Sequence, residues 1–162
     1  MYVLICQTPL HTSHEIIMEN KSHSSFPSAL RACWIKLNTT FAKKLQKVGI
    51  TPDQYSVLRW IYESMEKNQL CQKDLTELMF TDPNNIASLV KRMEKANLIY
   101  RKDDSQDKRK KILISTKLGE QKREEAKEIA ENLETQTLKS FSPEEKKIFL
   151  ETLGRMSAYL NA

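Results

Sequence analysis

Asn84, Asn85, Ser88 and Lys91 stand at helical spacing, on the side opposite an apolar stripe of Ile86, Leu89, Val90 and Met93. Amides and hydroxyls near the start of such a helix can hydrogen-bond the edges of bases. Lysines beside them can neutralise phosphates. A second chemical group follows closely, in the polar run Asp103-Asp104-Ser105-Gln106-Asp107-Lys108-Arg109-Lys110-Lys111. Arg109 is placed among lysines and two residues from Asp107, whose carboxylate is suited to hold it extended. A narrow minor groove concentrates negative potential, and an extended arginine exploits that better than a lysine. Between Lys91 and Lys111 there are nine Lys or Arg and four Asp or Glu, so this segment carries a net +5, equal to the formal charge of the whole chain. Periodicity alone fits an ordinary solvated helix face equally well; the charged hairpin beside it favours a nucleic-acid surface.

The elements that must position these groups are marked by their punctuation. Pro52, Pro83 and Pro143 each follow a capping residue, Thr51, Asp82 or Ser142, and proline suits a first helical position because its missing N–H has no partner there. Thr51 to Gln54 and Ser142 to Glu145 also have capping-box spacing. Helices are therefore expected over residues 27–48, 52–65, 72–79 and 82–97, then 116–139 and 143–160. The first carries Leu30, Cys33, Trp34, Leu37, Phe41, Leu45 and Val48 on one stripe, and the second turns Tyr55, Leu58 and Ile61 or Tyr62 inward. The last carries Ile148, Phe149, Leu153, Met156 and Leu160. Strands over 98–102 and 111–115 flank the polar tip as a hairpin. Asn97 is suited to close the preceding helix, being the commonest non-glycine residue in the left-handed region. Residues 72–94, two helices joined by a tight connection near Phe80, have helix-turn-helix proportions.

At this point the order of parts resembles a known family. Ile50-Thr51-Pro52-Asp53-Gln54-Tyr55-Ser56-Val57-Leu58 opens the second helix and Gln72-Lys73-Asp74-Leu75 the third. Lys95-Ala96-Asn97-Leu98-Ile99, then Asp107-Lys108-Arg109, then Thr116-Lys117-Leu118-Gly119 complete the series. From about Ala29 to Leu160 the chain is similar to MarR-type (multiple antibiotic resistance regulator) winged helix-turn-helix proteins. The resemblance implies a mainly α fold with a small β-hairpin wing and a helical dimerisation region. A MarR-type domain would span 27–160, with a winged helix-turn-helix DNA-binding lobe over 49–116 and dimerisation helices over 27–48 and 117–160. Residues 1–26 would form an N-terminal arm, flexible or docked on the interface. The helix-turn-helix would occupy 71–94, with Asn84, Asn85 and Ser88 facing bases and Lys73 and Lys91 meeting phosphates. Lys108, Arg109 and Lys110 would form the wing, supported by Asp107, with Arg109 entering the minor groove. The partners implied are a pseudo-palindromic double-stranded DNA operator and a second copy of the chain. The activity implied is transcriptional regulation, repression above all, released by a small molecule or stress signal. Three positions depart from the family pattern: Asn97 replaces glycine, Ser88 a basic residue, and Cys71 a Ser or Thr cap.

The bulk properties fit this reading. At 162 residues with 40% apolar and 29% charged content, the chain suits one helix-rich domain. Cys6, Cys33 and Cys71 are odd in number and widely spaced, which points to a reducing cytoplasm rather than a disulfide framework. No run reaches transmembrane length, so no membrane role is expected. The apolar stripes of the first and last two helices exceed what a small winged-helix core needs, which independently points to self-association.

Other signals are weaker. His11, His14, His23 and Glu15 could suggest a metal site, but solvated histidines in the arm are favoured, and neither metal nor cofactor is expected. Cys33 on the apolar stripe reads as a buried, inert thiol. Cys71, at a helix start beside Lys73, could be a reactive thiol or a packing residue, and packing is favoured. Trp34, Tyr55, Arg59 and Tyr62 are candidates to line a pocket for a small aromatic or amphipathic effector, although aromatics simply packed in a core would read the same. An enzyme is not expected, since the chain has no nucleophile motif, no phosphate-cradling glycine loop and no histidine beyond the arm. Two alternatives to DNA regulation remain open at this level: a winged-helix protein–protein interaction module and a thiol-based oxidant sensor using Cys71.

Overall fold

The computed structural model describes residues 25–64, 70–104, 107 and 109–160. In chain order the elements are α1 (Phe26–Leu45), α2 (Pro52–Ser64), α3 (Gln72–Leu78), α4 (Pro83–Lys95), β1 (Ile99–Asp103), β2 (Lys111–Ser115), α5 (Lys117–Thr137) and α6 (Pro143–Leu160). The chain divides between Thr40 and Phe41, and the core described here belongs to the C-terminal unit.

The caps expected from sequence are formed. Gln54 N–H donates to Thr51 Oγ1 at 3.3 Å while Thr51 N–H donates to Gln54 Oε1 at 2.9 Å. Ser142 and Glu145 make the same reciprocal pair at 2.8 and 3.2 Å. Asp82 accepts from Asn84 N–H at 2.7 Å with Pro83 at the first helical position, so α4 begins where its sequence says. Each such cap satisfies helix-end N–H groups that have no intrahelical partner, and contributes about 1 kcal/mol.

Two helix ends turn by the same device. Asn97 has φ 54, with its N–H on Glu94 O at 2.9 Å and Leu98 N–H on Met93 O at 3.0 Å. This paired pattern closes α4 and redirects the chain into β1. Phe80 has φ 48 and does the same for α3, with Phe80 N–H on Glu77 O and Thr81 N–H on Thr76 O, both at 3.3 Å. A phenylalanine in that conformation is uncommon, since a bulky side chain there is strained.

The hairpin is antiparallel, with Ile99 opposite Ser115, Arg101 opposite Leu113 and Asp103 opposite Lys111. Its strands lie one residue further along at β1 than the hydrophobic pattern indicates. An additional edge was not legible in the sequence: Cys71 bridges Ile112, and Leu113 N–H donates to Leu70 O at 2.8 Å. Leu70 and Cys71 have no alternating pattern of their own, so only the tertiary pairing identifies them.

Buried Leu45, Val57, Leu58, Leu75, Ile86, Val90, Met93 and Ile99 form the centre of the core, joined by Ala126 and Ile129 of α5. Ile61 is buried and Tyr62 is 55% exposed, which decides the inward position at the end of α2. Gly119 lies where α5 crosses the hairpin, and a Cβ there would collide with the Leu98 carbonyl. Thr116 locks this crossing: its hydroxyl donates to Asn97 O at 2.6 Å and accepts from Gly119 N–H at 3.0 Å.

One expectation needs correction. Cys33 is exposed, as are Leu30 and Trp34, so the N-terminal half of the α1 stripe is exposed, whereas Leu45 at its C-terminal end is in the core. No residue of α6 is buried either, and Ile148, Leu150, Tyr159 and Leu160 are exposed. Periodicity identifies an apolar face, but it cannot say whether the same chain supplies the cover.

Candidate nucleic-acid interface

α4 is amphipathic along its whole length. Ile86, Leu89, Val90 and Met93 are buried, and Asn84, Asn85, Ser88 and Lys91 are all exposed on the other side. The buried stripe fixes the rotation of the helix, so the polar side is presented by packing rather than by chance. Asp82 and Pro83 keep the N-terminal turn of α4 regular where Asn84 and Asn85 sit. Lys73 is exposed in the first turn of α3.

At the wing, Asp107 Oδ1 accepts from the backbone N–H of Arg109 at 3.0 Å, and Lys110 N–H donates to Asp107 O at 2.9 Å. Asp104 Oδ1 accepts from Asp107 N–H at 3.2 Å. The support that Asp107 gives Arg109 therefore acts on the backbone of the turn, by a local aspartate hydrogen bond of the kind that shapes tight turns. Arg109 is exposed and Lys110 half-buried, whereas Lys108 lies outside the described residues.

The charge of the segment is not all free. Arg101 of β1 pairs with Glu94 of α4 at 3.2 Å, and Lys111 pairs with Asp103 across the hairpin. Exposed pairs of this kind contribute little to stability. Their consequence is positional, because they remove two cations from the freely available set and leave Lys91, Arg92, Lys95, Lys102 and Arg109 exposed.

Asp74 is the residue sequence reasoning undervalued. Cys71 precedes α3 in an extended conformation, and its N–H donates to Asp74 Oδ2 at 2.7 Å. The weak thiol cap is thus backed by a carboxylate three residues on. Burial opposes ionisation of Asp74, yet hydrogen bonds from the Cys71 backbone and thiol, with Lys110 and Lys73 nearby, hold its pKa below the ordinary 3.8. Capping-box spacing from Cys71 to Asp74 was the available signal.

The candidate effector residues are placed as follows. Tyr55 is buried, edge-on to Phe41 at 5.5 Å; burial raises its phenol pKa, against the lowering influence of Arg59 and Arg123. Arg59 pairs with Glu63 at 3.2 Å and lies over the Trp60 ring at 5.1 Å. Tyr62 is exposed, with the Arg123 guanidinium stacked 3.9 Å from its ring centre. Trp34 belongs to the N-terminal unit and is 62% exposed. Arg123 was missed from sequence because α5 is so rich in charge. Its side chain is only 12% exposed, it pairs with Glu124 at 2.6 Å, and its Nε is buried without a partner. A separate cleft is lined by Trp60, Leu70, Asp74, Leu78, Phe80 and Lys110, among others. The three histidines fall outside the described residues, and among the described residues no group of His, Cys, Asp and Glu could hold a metal. No described helix is long and apolar enough to cross a membrane.

Comparison with known proteins agrees with this geometry. The family model described as MarR family matches residues 50–111, which run from the start of α2 to the end of the wing tip. The transcriptional regulator HosA of Escherichia coli is 29% identical over 107 residues, covering 66% of this chain and 77% of HosA. The S. aureus MepR–DNA complex superposes with a TM-score of 0.77 at 24% identity, covering 84% of this chain and 96% of MepR. The transcription regulator MarR from Oenococcus oeni gives a TM-score of 0.70 at 22% identity, covering 83% of this chain and 99% of that one.

Proposed function

We propose that this chain, which belongs to the MarR family of winged-helix transcriptional regulators, binds a pseudo-palindromic DNA operator as a homodimer and represses nearby genes until a small molecule or stress signal releases it. The observation that carries the reading is the exposed polar side of α4, fixed by a fully buried opposite stripe and flanked by an exposed wing arginine. In this reading α4 lies in a major groove, with Asn84, Asn85 and Ser88 at base edges and Lys73 and Lys91 on phosphates. Arg109 enters the adjacent minor groove from a wing that also carries Lys108 and Lys110.

A homodimer is supported by the uncovered apolar residues of α1 and of α6, which include Leu30, Trp34, Ile148 and Leu160. Water-exposed apolar side chains in such number mark an association surface. A two-fold dimer then requires two half-sites separated by about one helical turn, or a multiple of it. An effector of small aromatic or amphipathic character would act at Tyr55, Arg59 and Tyr62, with Arg123 added by its stacking on Tyr62.

The test is direct. Fluorescence anisotropy with a duplex selected from a randomised pool should show affinity falling steeply and linearly on a log–log salt scale, as counterion release demands. Affinity that ignores salt, or equal affinity for the selected and a scrambled duplex, overturns the reading.

A further inference from the structure

We propose that Asp74 is a positioning residue for DNA binding: it holds the Leu70–Cys71 segment against β2 and thereby fixes the direction in which the wing presents Arg109. The inference rests on the DNA-binding reading above and extends it to a residue that touches no DNA.

A two-stranded hairpin is marginal by itself and needs a third strand or a packed face to hold its direction. This one has little face to offer. In β1 only Ile99 is buried, and in β2 only Ile112 and Leu113. What fixes β2 from its other side is the short edge in which Cys71 bridges Ile112 and Leu113 N–H donates to Leu70 O at 2.8 Å. That edge runs directly into α3, and the 2.7 Å hydrogen bond from Cys71 N–H to Asp74 Oδ2 fixes the angle at which it enters the helix. α3 is in turn packed through fully buried Leu75 in the same core as Ile86, Val90 and Met93 of α4. A continuous path therefore runs from the recognition helix through α3, Asp74 and Cys71 to the strand that ends at the wing. Asp74 also shares the lining of one cleft with Lys110, next to Arg109 in the wing. A thiol is a poor helix cap, so without the carboxylate the Cys71 N–H loses its partner.

The proposal makes a prediction whose sign differs from simple electrostatics. Asp74 lies near Lys73 and Lys110, so deleting its charge makes the surface more positive, and counterion release alone would then tighten DNA binding. Positioning requires the opposite for Asp74→Ala, which removes the acceptor. Asp74→Asn removes only the charge and retains an oxygen for Cys71 N–H. Asp74→Glu supplies the usual capping-box residue.

The experiment measures affinity for the selected duplex by anisotropy, melting temperature, and hydrogen exchange of the Leu113 amide. D74A is expected to bind about tenfold more weakly, with Leu113 exchanging faster, while D74N and D74E stay within about threefold of wild type. Arg109→Ala is expected to cost about 5- to 150-fold in the wild type and less than about threefold in D74A, since a misdirected arginine has little left to lose. Alanine suits a helix interior, and the melting temperature verifies that D74A is folded. If it is not, Asp74→Ser, with a shorter oxygen acceptor, takes its place and is expected to fall between D74A and D74N. Affinity equal to or tighter than wild type in D74A, with the Arg109→Ala penalty and Leu113 protection unchanged, overturns the positioning role and leaves the DNA reading standing. A wild-type protein with no salt-dependent DNA binding overturns both.

Discussion

Asn85 and Lys91 share one exposed side of α4 but carry different chemistry, and their substitutions should separate accordingly. An amide at a base edge specifies sequence, so Asn85→Ala should lower affinity for the selected duplex while leaving binding to a scrambled one nearly unchanged. A lysine on a phosphate contributes to every sequence alike; Lys91→Ala should weaken both duplexes and reduce the salt slope by about 1. Competition binding at several salt concentrations reads both effects. Phe80 is a different kind of residue. It is 73% exposed with φ 48, so the backbone is strained at a helix end where glycine would be relaxed. Left-handed conformation costs a side-chain-bearing residue about 1–2 kcal/mol, and glycine returns part of that as extra unfolded-state entropy. Phe80→Gly should therefore raise stability by up to about 1 kcal/mol in urea unfolding. The tight connection was visible in the sequence; its left-handed phenylalanine was not, because no turn residue marks it.

At the level of elements, caps and closers were legible because each is a local contract between residues two to four apart. Thr51 with Gln54, Ser142 with Glu145, Asp82 with Asn84, and Asn97 all act as their types and spacing indicate. Thr116 does more than cap α5, since its hydroxyl also joins the far end of the hairpin at Asn97 O. Thr116→Ala should cost about 1–2 kcal/mol, the upper end of the range for a cap, and a thermal melt measures it. The Cys71–Asp74 link has a definite pH dependence. The folded-state pKa of Asp74 lies below the ordinary 3.8, so the unfolded chain takes up the proton first as pH falls. The stability it contributes is thus complete above about pH 5 and is lost as pH drops through the depressed folded value. Wild type should exceed Asp74→Ala in stability by a constant margin near neutrality, and that margin should vanish in strong acid. What sequence could not supply at this scale was the Leu70–Cys71 edge, because two residues carry no periodicity and pair with a strand some forty positions away.

For the whole molecule, apolar side chains of the N-terminal half of α1 and of α6 are exposed, with Trp34 at 62% and Leu160 at 79% exposure. Replacing α6 apolar residues by charge, for example Ile148→Glu with Leu160→Glu, should shift sedimentation from dimer to monomer and lower operator affinity without loss of helix content. A wild-type protein that sediments as a monomer at micromolar concentration would remove the two-half-site arrangement. The sequence by itself determined the order of helices, their caps, the hairpin and the two-sided chemistry of α4. Those properties depend on neighbours within a few positions and on a helical or strand period. Only tertiary structure decided that Ile61 rather than Tyr62 faces inward, that Arg101 and Lys111 are already paired, that Arg123 stacks on Tyr62, and that Asp74 links α3 to the wing. Each of these is set by which distant surface arrives opposite a given side chain, and no local pattern encodes that meeting.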